Sequence, residues 1–220
     1  KAAGGRLLRG GAYKPRTSPY AFQGMEDEGY RILRRVADAL DMGVVSEIVS
    51  HDQIDVACKY CDMLQIGARN MQNFRLLREV GRSQKPVLLK RGIASTIEEW
   101  LDAAEYIMSE GNYNVVLCER GIRTFETATR NTLDVSAVPV VRERSCLPVI
   151  IDPSHAAGKA SYVTPLALAG IAAGADGLIV VVHPEPRVAM SDAAQQLTTA
   201  SYQALVRQVS AVAAAVGREV

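Results

Sequence analysis

Gly177-Leu-Ile-Val-Val-Val-His183 places five aliphatic side chains in a row with no polar alternation. A strand with one wet face alternates apolar and polar residues. An unbroken run this short belongs instead to a strand covered on both faces, as in a parallel sheet flanked by helices. Working outward, comparable runs recur at 7–11, 44–49, 63–67, 87–91, 115–120 and 148–153, which with 177–183 makes seven expected strands. Between them apolar residues repeat at three and four positions, as in Tyr30, Leu33, Val36, Ala37 and Leu40, or Ile97, Leu101, Ala104 and Met108. Ser95 with Glu98 reads as a capping box, and Thr164-Pro165 as an N-cap followed by proline in the first turn.

Strict alternation of strand and helix predicts an α/β fold with a parallel sheet. No Gly-x-Gly-x-x-Gly turn follows the first strand, so a (β/α)8 TIM barrel is favoured over an open doubly wound sheet. Seven strands are one short of that barrel, and the first strand is expected upstream of Lys1. The chain then reads as a single barrel domain over residues 1–220, N-terminally incomplete, closing with a helix over 192–216 whose inner face holds Leu197, Leu205, Val209 and Val212.

The 25 basic and 24 acidic residues nearly cancel, which removes the broad positive field of a nucleic-acid binder. Asp176 interrupts the apolar stretch over 165–182, so no membrane span is expected. No secretory signal is visible, and a cytoplasmic location is expected. Four cysteines are too few for a disulfide scaffold, and Cys58 and Cys61 lack a second pair for zinc. Both fall at helical spacing and read as part of a buried helix face. Cys118 reads as a small plug of the barrel interior.

Cations stand at the carboxyl ends of the apolar runs: Arg9, Lys14, Arg16, Arg69, Lys90 and Arg120. Barrel enzymes place their active sites at that end of the strands. Clustered cations repel one another unless an anion joins them, and phosphate suits both the planar guanidinium fork and the point charge of lysine.

The motifs containing these residues resemble a family. Leu8-Arg-Gly-Gly-Ala-Tyr-Lys-Pro-Arg-Thr17, Gln65-Ile-Gly-Ala-Arg-Asn70, Leu89-Lys-Arg-Gly92, Cys118-Glu-Arg-Gly-Ile-Arg-Thr124, Asp152-Pro-Ser-His155 and His183-Pro-Glu-Pro186 are similar, in order, to the motifs of type I 3-deoxy-D-arabino-heptulosonate 7-phosphate (DAHP) synthases, beta subgroup. The resemblance implies condensation of phosphoenolpyruvate with erythrose 4-phosphate, the first step of the shikimate pathway. It assigns Arg9, Lys14, Arg69, Lys90 and Arg120 to phosphoenolpyruvate, and Lys14, Pro15, Arg16 and Thr17 to erythrose 4-phosphate. Lys14 and His155 take the catalytic roles.

The resemblance also implies a divalent metal ion (Mn, Zn, Fe or Co) held by a cysteine, a histidine, a glutamate and an aspartate. His155 and Asp192 match two of these ligands. The cysteine's motif lies upstream of Lys1, and Val181 stands where the family has its glutamate, so metal binding is expected to be weakened or absent. By strand parity His183 could face the same way as residue 181, whereas Glu185 starts from a different place. A homo-oligomer is expected. Two other readings stay open: a catalytically impaired paralogue that binds a sugar phosphate or partners an active subunit, and a synthase acting on another phosphosugar aldehyde.

Overall fold

The computed structural model describes residues 1–15 and 18–218. Seven parallel strands alternate with helices along the chain. Close packing divides it into two compact units, residues 1–92 with 98–116, and residues 93–97 with 117–220.

In the first unit, β1 (Leu7–Gly10), β2 (Gly43–Ile48), β3 (Met63–Ile66) and β4 (Val87–Lys90) pair in chain order, with Arg9 opposite Val45, Glu47 opposite Gln65 and Ile66 opposite Leu89. Helices α1 (Glu26–Ala39), α2 (Ile54–Tyr60), α3 (Phe74–Arg82) and α4 (Ile97–Met108) follow the strands. The core is aliphatic, from Val44, Ile48, Leu64, Ile66, Leu77, Val87 and Leu89, with Trp100 fully buried among them. Trp100 keeps its indole N–H satisfied by donating to Leu89 O at 3.2 Å.

In the second unit, β5 (Val115–Glu119) pairs through Leu117 and Cys118 with β6 (Val149–Ile151), and β6 pairs with β7 (Gly177–Leu178). Helices α5 (Ala137–Arg144), α6 (Pro153–Ala157), α7 (Ala160–Ala172) and α8 (Thr199–Ala215) complete it. Leu117, Val149, Ile151, Val163, Leu205 and Val209 form its core.

Several sequence-predicted boundaries move, for local reasons. The run over 177–183 pairs as a strand only to Leu178. Its partner β6 stops where Asp152-Pro153 opens a helix, and Ile179 N makes the last bond, to Ile151 O at 3.0 Å. Residues 181–183 pair instead with Leu197, which donates to Val181 O and accepts from His183 N, each at 3.0 Å. That pairing occupies Leu197, so the last helix starts at Thr199 rather than near 192, capped by Thr198, whose hydroxyl accepts from Ser201 N at 3.1 Å. The expected cap at Thr164 is not one: α7 begins at Ala160 and Pro165 lies inside it. Helix α4 begins at Ile97, one residue later than a Ser95 cap would place it, and buries Trp100, Ala103, Ala104 and Ile107. Cys61 is buried but lies just beyond α2, and burial pushes its thiol up to about 12.

The same device recurs in both units where a strand begins. Asp62 Oδ2 accepts Val44 N at 2.7 Å and Arg34 Nη1 at 2.7 Å, while Arg34 also donates to Met42 O at 3.0 Å. Asp176 Oδ2 accepts Val149 N at 2.8 Å, and Asp176 Oδ1 takes Arg142 at 2.5 Å and Arg218 at 2.6 Å. Arg142 and Arg218 also both donate to Gly174 O. Each aspartate sits one residue before its strand and fixes the start of the neighbouring strand.

Burial raises the Asp176 carboxyl, but the hydrogen bonds from Arg218 and Val149 and the nearby charges outweigh it and hold its pKa below the usual carboxylate value. For Asp62 burial likewise raises, and the Val44 N–H and Arg34 lower further. A carboxylate with a depressed folded pKa adds stability that is present above its unfolded value, about 3.9, and is lost as pH falls through the lower folded value. Asp176→Asn should therefore cost about 1.5–3 kcal/mol at pH 7, with the difference from the parent shrinking below about pH 4. Asp62, more exposed, should cost about 1 kcal/mol after solvent screening. Urea melts between pH 2 and 7 check both, and a pH-independent difference would contradict the assignment.

Candidate functional site

The first unit brings most of the expected cations to the carboxyl ends of its strands. Arg9 is the penultimate residue of β1 and Lys90 the last of β4, while Arg69 lies on a single 3-10 turn, Ala68–Asn70, just after β3. Lys90 and the adjacent Arg91 are both buried. The Arg91 guanidinium sits 5.9 Å from the Trp100 ring centroid, within cation–π range.

Arg9 is not held for a ligand alone. Its Nε donates to Gln65 Oε1 at 3.0 Å and its Nη2 meets Glu47 Oε2 at 3.3 Å, while Gln65 Nε2 donates to the same Glu47 oxygen at 3.1 Å. Glu47 and Gln65 are buried, so this triangle is a partly desolvated ion pair with its polar atoms engaged. Glu47 was missed from sequence, where Val44-Val-Ser-Glu-Ile48 reads simply as strand. The available signal was an acidic residue near the end of an apolar run, opposite a rim of cations.

The triangle depends on a neighbour without a side chain. A Cβ on Gly67 would lie 2.0 Å from Glu47 Oε1. Gly67→Ala should drive the carboxylate off Arg9 and destabilise the protein by about 1–3 kcal/mol, measured by chemical denaturation. A neutral result would show that Glu47 has another place to go.

Lys14 and Pro15 lie in the segment after β1, beyond Gly11, Ala12 and Tyr13. Lys14 N donates to Gln23 O at 2.8 Å, and Tyr13 bridges Gly24 in antiparallel fashion, closing the neck of a loop. Arg16 and Thr17, expected to grip the second phosphate, lie outside the described residues.

In the second unit Arg120 is buried and directly follows β5. The residue before it, Glu119, is fully buried and accepts Gly121 N at 2.6 Å. Asp152 caps α6: its Oδ1 accepts His155 N at 3.0 Å, and its Oδ2 lies 2.7 Å from His155 Nδ1. With Asp152 ionised and the imidazole neutral, Nδ1 carries the hydrogen and Nε2 is the acceptor nitrogen. Asp152, which the motif contains without an assigned role, is thus the residue that fixes the His155 ring. Its signal was Asp-Pro-x-His, the N-cap, N1 and N3 positions of a helix. The loop over 121–132 is tied to the same helix, with Asn131 Nδ2 donating to His155 O at 3.1 Å and Asn131 N to Ala156 O at 2.9 Å.

The metal-ligating expectations are placed as follows. Val181, which has no donor side-chain atom, gives its backbone N–H to Ser154 Oγ at 3.1 Å. Asp192 has a left-handed backbone, φ 56°, and its Oδ1 accepts from Arg130 and from Gln195 Nε2, each at 3.3 Å. His183 Nδ1 accepts Glu185 N at 3.0 Å, which turns its ring to its own loop. Among the described residues, no three His, Cys, Asp or Glu side chains are grouped to hold a metal ion. With an aliphatic side chain at 181 and Asp192 engaged by a guanidinium, these residues do not fit a divalent metal.

Parallel strands alternating with helices, with polar and charged side chains gathered at the strands' carboxyl ends, define a protein of the (β/α)8 barrel class. The comparison with solved structures agrees. A crystal structure of phospho-2-dehydro-3-deoxyheptonate aldolase (DAHP synthase) from Thermotoga maritima is similar with a TM-score of 0.95 at 52% identity, covering 99% of this chain and 63% of that one. A truncated form of the Thermotoga maritima 3-deoxy-D-arabino-heptulosonate 7-phosphate synthase gives 0.93 at 51%, covering 99% and 80%.

Residues 1–216 match the DAHP synthetase I family, and the chain belongs to that family. Among curated relatives, the phospho-2-dehydro-3-deoxyheptonate aldolase of Thermotoga maritima is 54% identical over 217 residues, 99% of this chain. The chain spans 64% of that relative's length. A 2-dehydro-3-deoxyphosphooctonate aldolase of Geobacter sulfurreducens is 31% identical over 215 residues, covering 91% of this chain and 77% of that relative.

Proposed function

We propose that the chain carries the condensation of phosphoenolpyruvate with erythrose 4-phosphate to give DAHP and inorganic phosphate. The observation that carries this reading is the 54% identity to the Thermotoga maritima heptonate aldolase, against 31% to a relative named for a phosphooctonate product. In the reaction the enol carbon of phosphoenolpyruvate attacks the aldehyde carbon, water adds to the adjacent carbon, and phosphate leaves.

Two phosphorylated substrates repel one another, and fixed cations offset that repulsion while positioning the reacting carbons. By resemblance to the family's motifs, Arg9, Lys14, Arg69, Lys90 and Arg120 serve phosphoenolpyruvate. Lys14, Pro15, Arg16 and Thr17 serve erythrose 4-phosphate. Lys14 places an ammonium where negative charge develops, and His155, its ring fixed by Asp152, offers Nε2 to the reaction. No helix among the described residues is long and apolar enough to cross a membrane, and a cytoplasmic location suits this biosynthetic role.

Calorimetry with phosphoenolpyruvate tests the reading. Arg69→Ala and Arg120→Ala should each weaken binding by about 2–5 kcal/mol, the loss expected when one partner of a desolvated charged pair is removed. Unchanged affinity in both variants would refute the assignment.

The family generally uses a divalent metal, and in this chain that dependence is weakened at residue 181. In a protein that also carries the upstream cysteine strand, Val181→Glu should raise the affinity for Mn²⁺ about tenfold or more in titration calorimetry and speed phosphate release when the metal is supplied. A parent protein that already binds Mn²⁺ as tightly as the variant would show that residue 181 is not limiting.

A further inference from the structure

Lys14 begins a loop, and its placement depends on what holds the peptide leading into it. Two backbone interactions close the neck: Lys14 N donates to Gln23 O at 2.8 Å, and Tyr13 bridges Gly24. A neck of this kind, exposed to water, opens readily without side-chain support. The support comes from Tyr13. Its hydroxyl donates to Asp27 Oδ1 at 2.9 Å, and its ring lies 5.7 Å from that of Tyr30, tilted by 49°. Tyr30 is fully buried on α1, so it is a fixed wall. Asp27 lies in the first turn of the same helix, where the macrodipole favours a carboxylate.

We propose that Tyr13 is a positioning residue for Lys14: by latching onto Asp27 and leaning on Tyr30, it holds the entry to the phosphate-binding loop on the first turn of α1. The inference rests on the reading of Lys14 as a substrate-binding residue. Lys14 itself doubles back over the end of β1, because a Cβ on Gly11 would lie 3.2 Å from both its Cγ and its Nζ. Residue 11 thus leaves the space that the lysine stem occupies, and Tyr13 fixes the peptide from which the stem starts. Burial first, and the bond to Asp27 second, push the Tyr13 phenol up to about 12, so the donor proton stays in place across the neutral range.

The test combines hydrogen exchange at the Lys14 amide with steady-state kinetics on the whole protein. Tyr13→Phe keeps the ring and removes the donor. It should speed exchange of the Lys14 amide about tenfold and raise KM for erythrose 4-phosphate about tenfold, with kcat within about twofold. Asp27→Ala should match it, and Asp27→Asn, which keeps an acceptor oxygen, should stay near the parent. The double variant Tyr13→Phe with Asp27→Ala should be no worse than either alone, because the two changes break one bond. Unchanged Lys14 exchange in Tyr13→Phe, or losses that simply add in the double variant, would overturn the latch. So would a lowered melting temperature with neither exchange nor KM altered, which would mark Tyr13 as merely structural. If the parent protein condenses neither substrate, the proposed activity fails, while the exchange measurement still decides the latch.

Discussion

A parallel strand has no hairpin to set its register, so something other than a turn must fix where each strand begins. Here it is a carboxylate. Asp62 and Asp176 each stand one residue before a strand, accept the N–H of the neighbouring strand's first residues, and are held by an arginine from a helix. A one-residue slip would exchange the two faces of every strand that follows. With the register held, Glu47 on β2 stands opposite Gln65 on β3, and both reach Arg9 on β1. The Arg9–Glu47–Gln65 triangle near the carboxyl ends of the strands therefore owes its register in part to Asp62 at the amino end of β3.

Electrostatics follows from that placement. The chain's near-neutral charge conceals a concentration of cations, and the fold supplies them with partners. Arg9 is shared with Glu47 and Gln65, and Arg91 rests over Trp100. Desolvating a guanidinium costs several kcal/mol unless partners are waiting, and prearranged partners also limit how far it can turn. An arginine held in this way presents a fixed direction to an incoming anion and loses little freedom on binding.

Much of this architecture is legible in the sequence because burial on both faces leaves a plain mark. All seven apolar runs became strands, and the (β/α)8 class followed from their alternation with helices. The ends of elements were less legible, since they depend on partners far away in sequence. Residues 179–183 look like more of the same strand, yet Asp152-Pro153 had already ended the strand beside them. Leu197 looks helical by spacing, yet its backbone is spent on Val181 and His183. Within the site, the cations were visible as exceptions at the ends of apolar runs. Glu47, the acidic counterpart of Arg9, was not, because which charge meets which is a property of the fold rather than of local pattern.

The missing side chain at position 67 also bears on how this surface can diverge. A methyl group there would overlap the Glu47 carboxylate, so any larger residue at 67 is blocked while Glu47 stays as it is. Shortening Glu47 first would strip Arg9 of its carboxylate partner and leave a cation to be matched by something else. Neither order of change is neutral, so lineages that keep the arginine should keep the glycine and the glutamate with it. Positions 9, 47 and 67 thus form one steric and electrostatic unit, in which a change at any one alters what the other two can be.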